Sequence, residues 1–89
     1  MSISAETPTV DQITATVTTI VAEVLAVPAA ELSADTDLRG VEGADSIKVL
    51  RLVARIEREY DVELDDADVF GVETIAEVAG VVRKALENR

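Results

Sequence analysis

Residues 43–60 read Gly43-Ala44-Asp45-Ser46-Ile47-Lys48-Val49-Leu50-Arg51-Leu52-Val53-Ala54-Arg55-Ile56-Glu57-Arg58-Glu59-Tyr60. A glycine-containing approach gives way at Asp45 and Ser46 to a long run with neither Gly nor Pro. Leu50, Val53, Ala54, Ile56 and Tyr60 recur at helical spacing, which predicts a helix over 46–59 with this stripe on one side. Asp45 or Ser46 can supply the oxygen that caps it. Lys48, Arg51, Arg55 and Arg58 also recur at three- and four-residue steps, so the helix carries a basic stripe as well.

Upstream, Val10, Ile13, Val17, Ile20, Val21, Val24 and Leu25 recur at the same period after Pro8, a good first-turn residue. They predict a first helix ending near Val27-Pro28. Its Thr and Val residues have modest helix propensity, so packing of the apolar stripe must carry much of its stability. Between Pro28 and Asp45 the period disappears and Ser33, Asp35, Asp37, Gly40 and Gly43 accumulate. This is a long loop with Leu32, Leu38 and Val41 as its apolar anchors, and a loop this long in so small a domain is usually functional.

Downstream, Asp61-Val62-Glu63-Leu64 is short and extended. Residues 65–70 can make one or two helical turns before Gly71 stops them. Thr74-Ile75-Ala76-Glu77 has the spacing of a capping box and opens a last helix with Ile75, Val78, Ala79, Val82 and Leu86 on one stripe. No segment alternates with period two for long enough to make a strand. The expected fold is all-α: three main helices and a short one in a small bundle, with a long loop between the first and second helices. One domain spans residues 1–89, with its folded core at about 8–87.

Composition bounds the chemistry. The 89 residues make one small domain, and no His and no Cys are present. The chain therefore lacks an imidazole base, a thiolate nucleophile, a disulfide and the soft ligands of zinc or iron–sulfur sites. Eighteen acidic residues against eight basic ones give a net charge of −10, a field that repels phosphate backbones and anionic membranes. Neither nucleic acid nor membrane is an expected partner. A hydrophobic content of 48% nonetheless marks a chain that folds, around a core of small aliphatics. The polar stretch after Met1 has no secretory pattern, so a cytoplasmic monomer is expected.

Ser46 stands at the first turn of the second helix, directly after the long loop. A serine hydroxyl is a poor nucleophile without a base, and this chain has only Lys48 and Lys84 to offer, so a hydrolase mechanism is excluded. Ser46 can simply belong to a helix cap. It can also be the place where another enzyme attaches a group, since a helix N-terminus tolerates a phosphate ester well.

The order of these pieces, from Val10 to about Leu86, resembles the acyl and peptidyl carrier proteins, which bear phosphopantetheine on a serine at the start of the second helix. Gly43-Ala44-Asp45-Ser46-Ile47 looks like the family's attachment motif, and residues 70–79 are similar to the stretch that enters the last helix in carriers of polyketide and nonribosomal peptide synthesis. The resemblance implies that a phosphopantetheinyl transferase moves the arm from coenzyme A to Ser46, with Asp45 contributing to transferase recognition. The arm's thiol would then hold an acyl or aminoacyl group, so a protein without Cys acquires its sulfur with the cofactor. The implied role is that of a non-catalytic carrier delivering acyl thioesters in polyketide-type or related secondary-metabolite biosynthesis. Its partners would be acyl-loading enzymes and ketosynthases or acyltransferases. An aminoacyl or peptidyl carrier served by an adenylation-type enzyme is the alternative, and a helical adaptor without a prosthetic group a remoter one. Because the chain starts at Met1 and stops shortly after the last helix, a free-standing carrier is expected.

Two departures stand out. Glu42 occupies the place before Gly43 where the family usually keeps an apolar residue, leaving Val41 or Leu38 to plug the loop. The family's fatty acid carriers present acids on the second helix, whereas residues 46–58 here hold four basic residues and Glu57. That segment is +3, so with a total of −10 the remainder is −13. Ile47, Lys48, Arg51, Arg55 and Arg58 are accordingly the expected partner-binding residues. By analogy with the family, Leu50, Leu64, Val69, Val72 and Ile75, together with Ile47, fall where an acyl chain would be sheathed. Asp66, Asp68, Gly71 and Glu77 also echo a calcium loop, but Phe70 sits where an oxygen ligand belongs and the capping box already accounts for Glu77. No metal site is expected.

Overall fold

The computed structural model describes residues 8–38, 40 and 46–88, with the side chains of 46, 66 and 70 left aside. It contains four α-helices: α1 (Val10–Leu25), α2 (Ser46–Tyr60), α3 (Asp66–Phe70) and α4 (Ile75–Glu87). The expected all-α bundle of three long helices and one short one is what forms. A single 3₁₀ turn, Ala29–Glu31, interrupts the segment that was expected to be plain loop.

The ends of α1 differ from expectation at both sides. Thr9 caps the helix, accepting from the Gln12 N–H while the Gln12 side chain returns to the Thr9 N–H, so Pro8 precedes the cap instead of entering the first turn. At the other end Leu25 is the last helical residue, and Ala26 takes the left-handed conformation, with φ 57°. The Val27 N–H then reaches back to the Ala22 carbonyl at 3.1 Å, the six-to-one bond of a Schellman turn, and Val27 packs on the core. The end of α2 repeats the device: Asp61 has φ 54°, the Val62 N–H donates to the Glu57 carbonyl at 3.1 Å, and Val62 is buried. Inside α1, Thr14 and Thr18 donate their hydroxyls to carbonyls four residues back, which removes the polar penalty of threonines in a helix.

α1 is the hub of the bundle. It packs most extensively on α4 and next on α2. Ile13, Val17 and Val21 of α1, Ile56 of α2, and Ile75, Ala79 and Val82 of α4 are sealed from solvent or nearly so. Val10, expected on this stripe, is exposed because it opens the helix beyond the reach of its neighbours. The α4 stripe of Ile75, Val78, Ala79, Val82 and Leu86 is buried as its spacing predicts.

The α2 stripe needs correction. Leu52 and Ile56 are its buried residues, with Val49, Val53 and Tyr60 half-buried beside them, whereas Ala54 is exposed and Leu50 is 62% exposed. Helical geometry gives the reason: at 3.6 residues per turn Leu52 lies about 40° from Ile56, while Leu50 lies about 120° away. The inward stripe is therefore 49, 52, 53, 56 and 60.

The loop before α2 is stitched to the start of α4. The Leu38 N–H donates to the Glu73 carbonyl at 2.8 Å, the Ala76 N–H to the Ala34 carbonyl at 2.9 Å, and Asp37 pairs with Thr74 in an isolated bridge. The Ala76 bond satisfies one of the N–H groups that a helix start leaves without an intrahelical partner. Leu32 and Leu38 rest against the core as anchors, as their isolation in a polar loop implies. Val41, Glu42, Gly43, Ala44 and Asp45 lie outside the described residues.

Candidate functional site

Ser46 is the first residue of α2. Its peptide belongs to the turn whose N–H groups have no acceptor within the helix, and no acidic residue occupies that turn. Lys48 follows within it. N–H groups without an intrahelical acceptor place the positive end of the helix dipole at this end of α2. Whether Asp45 or Ser46 caps the helix, as expected, lies outside the described residues, as does any side-chain contact of Ser46.

Next to Ser46 the surface is apolar as well as basic. Ile47 is 65% exposed, and Leu50 stands one turn further on the same side. Both were expected in an acyl pocket. Instead they form an outward ledge, while Ile75 belongs to the sealed core at 0% exposure. Leu64 and Val72 are half-buried against that core and Val69 is half-buried on α3.

The basic stripe divides into residues with different surroundings. Arg55 Nη2 donates to Glu23 Oε1 of α1 at 2.6 Å, an exposed pair of the kind that contributes at most about 1 kcal/mol. Its charge is thus answered within the chain. Arg51 and Arg58 line, with Glu23, Val24, Ala54 and Arg55, an open groove between α1 and α2. Lys48 is half-buried and makes an interaction of its own.

One residue near the site escaped the sequence reading. Glu57, which counted only as the single acid among the basic residues, accepts the Leu64 N–H on Oε2 at 2.8 Å. It thereby fixes the extended segment that runs from α2 into α3. An acid three residues before the end of a helix that runs directly into an extended segment with apolar Val62 and Leu64 was the available signal. The calcium-loop echo dissolves on inspection: Glu77 Oε1 accepts from the Glu73 and Thr74 N–H groups while Thr74 caps α4. Among the described residues, no group of three or more acidic side chains is placed to hold a metal ion. No helix there is long and apolar enough to cross a membrane.

Comparison with known proteins supplies the family. The family model described as the phosphopantetheine attachment site matches residues 15–82. An acyl carrier protein of Thermotoga maritima is 30% identical over 76 residues, which make up 85% of this chain and 94% of that protein. An acyl carrier protein of Saccharopolyspora erythraea is 32% identical over 59 residues, 66% of this chain and 62% of that one. Among solved structures, the HMG-ACPI domain from the CurA module from Lyngbya majuscula superposes with a TM-score of 0.80 at 20% identity, covering 99% of this chain and 88% of that domain, and so shares the fold.

Proposed function

We propose, from the premise that this chain belongs to the acyl carrier proteins, the family that bears a phosphopantetheine attachment site, that Ser46 is the residue to which the arm is joined. The chain is a carrier and not a catalyst, and its cofactor is phosphopantetheine. Membership sets aside the adaptor without a prosthetic group, and both named relatives favour acyl over aminoacyl cargo.

The observation that carries the assignment to Ser46 is its place as the first residue of α2. The first turn of that helix fits a phosphodiester: its free N–H groups and Lys48 offer positive potential, and no carboxylate of the turn opposes it. When bound, the arm supplies the thiol on which acyl groups ride as thioesters. The rest falls to the chain's own residues. The Ser46 Oγ provides the attachment oxygen; with no His in the chain, the base that takes its proton is assigned to the modifying enzyme, and the nucleotide half of coenzyme A is the leaving group. The packing of α2 on α1 holds the helix in place for that enzyme.

As a carrier the chain works with modifying and synthase enzymes. The finer reading is a cytoplasmic carrier of polyketide-type or related secondary-metabolite biosynthesis, loaded by a phosphopantetheinyl transferase and serving acyl-loading enzymes and ketosynthases or acyltransferases. It is supported by the basic α2, which differs from the acidic helix of fatty acid carriers. Intact-mass measurement after incubation with coenzyme A, Mg²⁺ and a promiscuous phosphopantetheinyl transferase tests the attachment. Wild type should gain one arm and Ser46→Ala none; an unmodified wild type, or a modified variant, contradicts the assignment.

A further inference from the structure

The outer face of α2 combines two features that are rarely left bare together. Ile47 and Leu50, 65% and 62% exposed, are large apolar side chains one turn apart beside the attachment end. Further along the same face Arg51 and Arg58 border the groove against α1, with Ala54 between them. Arg55 is held by Glu23, and among the described residues no ion pair engages Arg51 or Arg58.

We infer that this face docks on a partner enzyme whose surface is acidic around an apolar depression, with Ile47 and Leu50 entering the depression and Arg51 and Arg58 meeting the carboxylates. The inference rests on the carrier reading and adds the chemistry of the partner. Charge complementarity selects the occupant. The segment 46–58 is +3 in a chain whose remainder is −13, so an acidic surface is repelled by the net charge of the rest of the molecule. A partner of that sign is steered onto α2, and the approach brings the Ser46 end towards it. A basic surface would meet the like charges of Arg51 and Arg58 there and be rejected. Removing Ile47 and Leu50 from water then holds the encounter, in proportion to the apolar area covered. Arg55 is excluded from recognition because its charge is already met inside the chain.

Two phosphopantetheinyl transferases of known structure serve as probes, one with an acidic and one with a basic rim around its active site. Their kcat/KM for loading is measured at low and high salt. Wild type should be loaded faster by the acidic-rimmed enzyme, and this advantage should shrink at high salt. Arg51→Glu/Arg58→Glu should reverse the preference by about tenfold or more, Arg55→Gln should leave it in place, and Leu50→Ser should slow both enzymes without lowering Tm. Arg58→Glu alone, at an exposed site, gives the same reading should the double variant fold poorly. An unchanged preference in a variant that keeps the wild-type helical circular dichroism overturns the inference. Failure of both enzymes to load wild type at all would instead overturn the carrier reading beneath it.

Discussion

Ala26 and Asp61 hold the left-handed conformation at the two helix ends that turn the chain back on its core. Asp tolerates that region through its short polar side chain, but Ala meets its own Cβ penalty of about 1–2 kcal/mol there. Ala26→Gly relieves the penalty and adds about 0.4–1 kcal/mol of unfolded-state entropy. A net gain near 0.5 kcal/mol, seen as a Tm rise of about 2–4 °C, is expected; a fall in Tm would show that the turn is not strained. Leu50 and Leu52 offer a paired test of the corrected stripe. Leu52→Ala empties a buried site and should cost about 2–3 kcal/mol in urea unfolding, whereas Leu50→Ala should stay within about 0.5 kcal/mol. Equal losses at the two positions would contradict the placement of α2.

At the scale of the elements, the helices were legible where a single face was apolar and obscure where it was not. In α4 only one stripe fits the period, and the Thr74–Glu77 box announces its start, so both helix and cap follow from residue types. α2 has apolar residues at 47, 49, 50, 52, 53, 54 and 56, which admit more than one stripe. The charges decide between them: Arg51, Arg55 and Arg58 centre the outer face, so the core must lie opposite, along 49, 52, 53, 56 and 60. The Thr9–Gln12 box was hidden because Pro8 offered a competing start, and the Ala26 turn because alanine carries no signal of left-handed backbone. Hydrogen bonds that join distant segments, such as Leu38 to Glu73, leave no local trace in composition. The Thr74 cap anchors the end of α4 to which the loop is tied. Thr74→Ala should therefore destabilise the fold by about 1 kcal/mol, measurable as a lower denaturation midpoint; no change would mean that water replaces the cap without loss.

For the whole molecule, the absence of His and Cys and the uneven charge have one interpretation between them. A chain without a thiol of its own presents a serine at a helix start, takes its thiol from a cofactor, and carries four of its eight basic residues on the helix that begins with that serine. The proposed attachment residue stands out in the sequence because its meaning comes from order along the chain. The division of the arginines was not, because only packing brings Glu23 to Arg55. The claim on which the account turns is that Ser46 bears the arm. Tryptic cleavage after Arg39 and Lys48 releases peptide 40–48, in which Ser46 is the sole hydroxyl. Tandem mass spectrometry of the loaded protein should place one phosphopantetheine on that peptide. Finding it on any other peptide, or finding peptide 40–48 unmodified after complete reaction, would contradict the account.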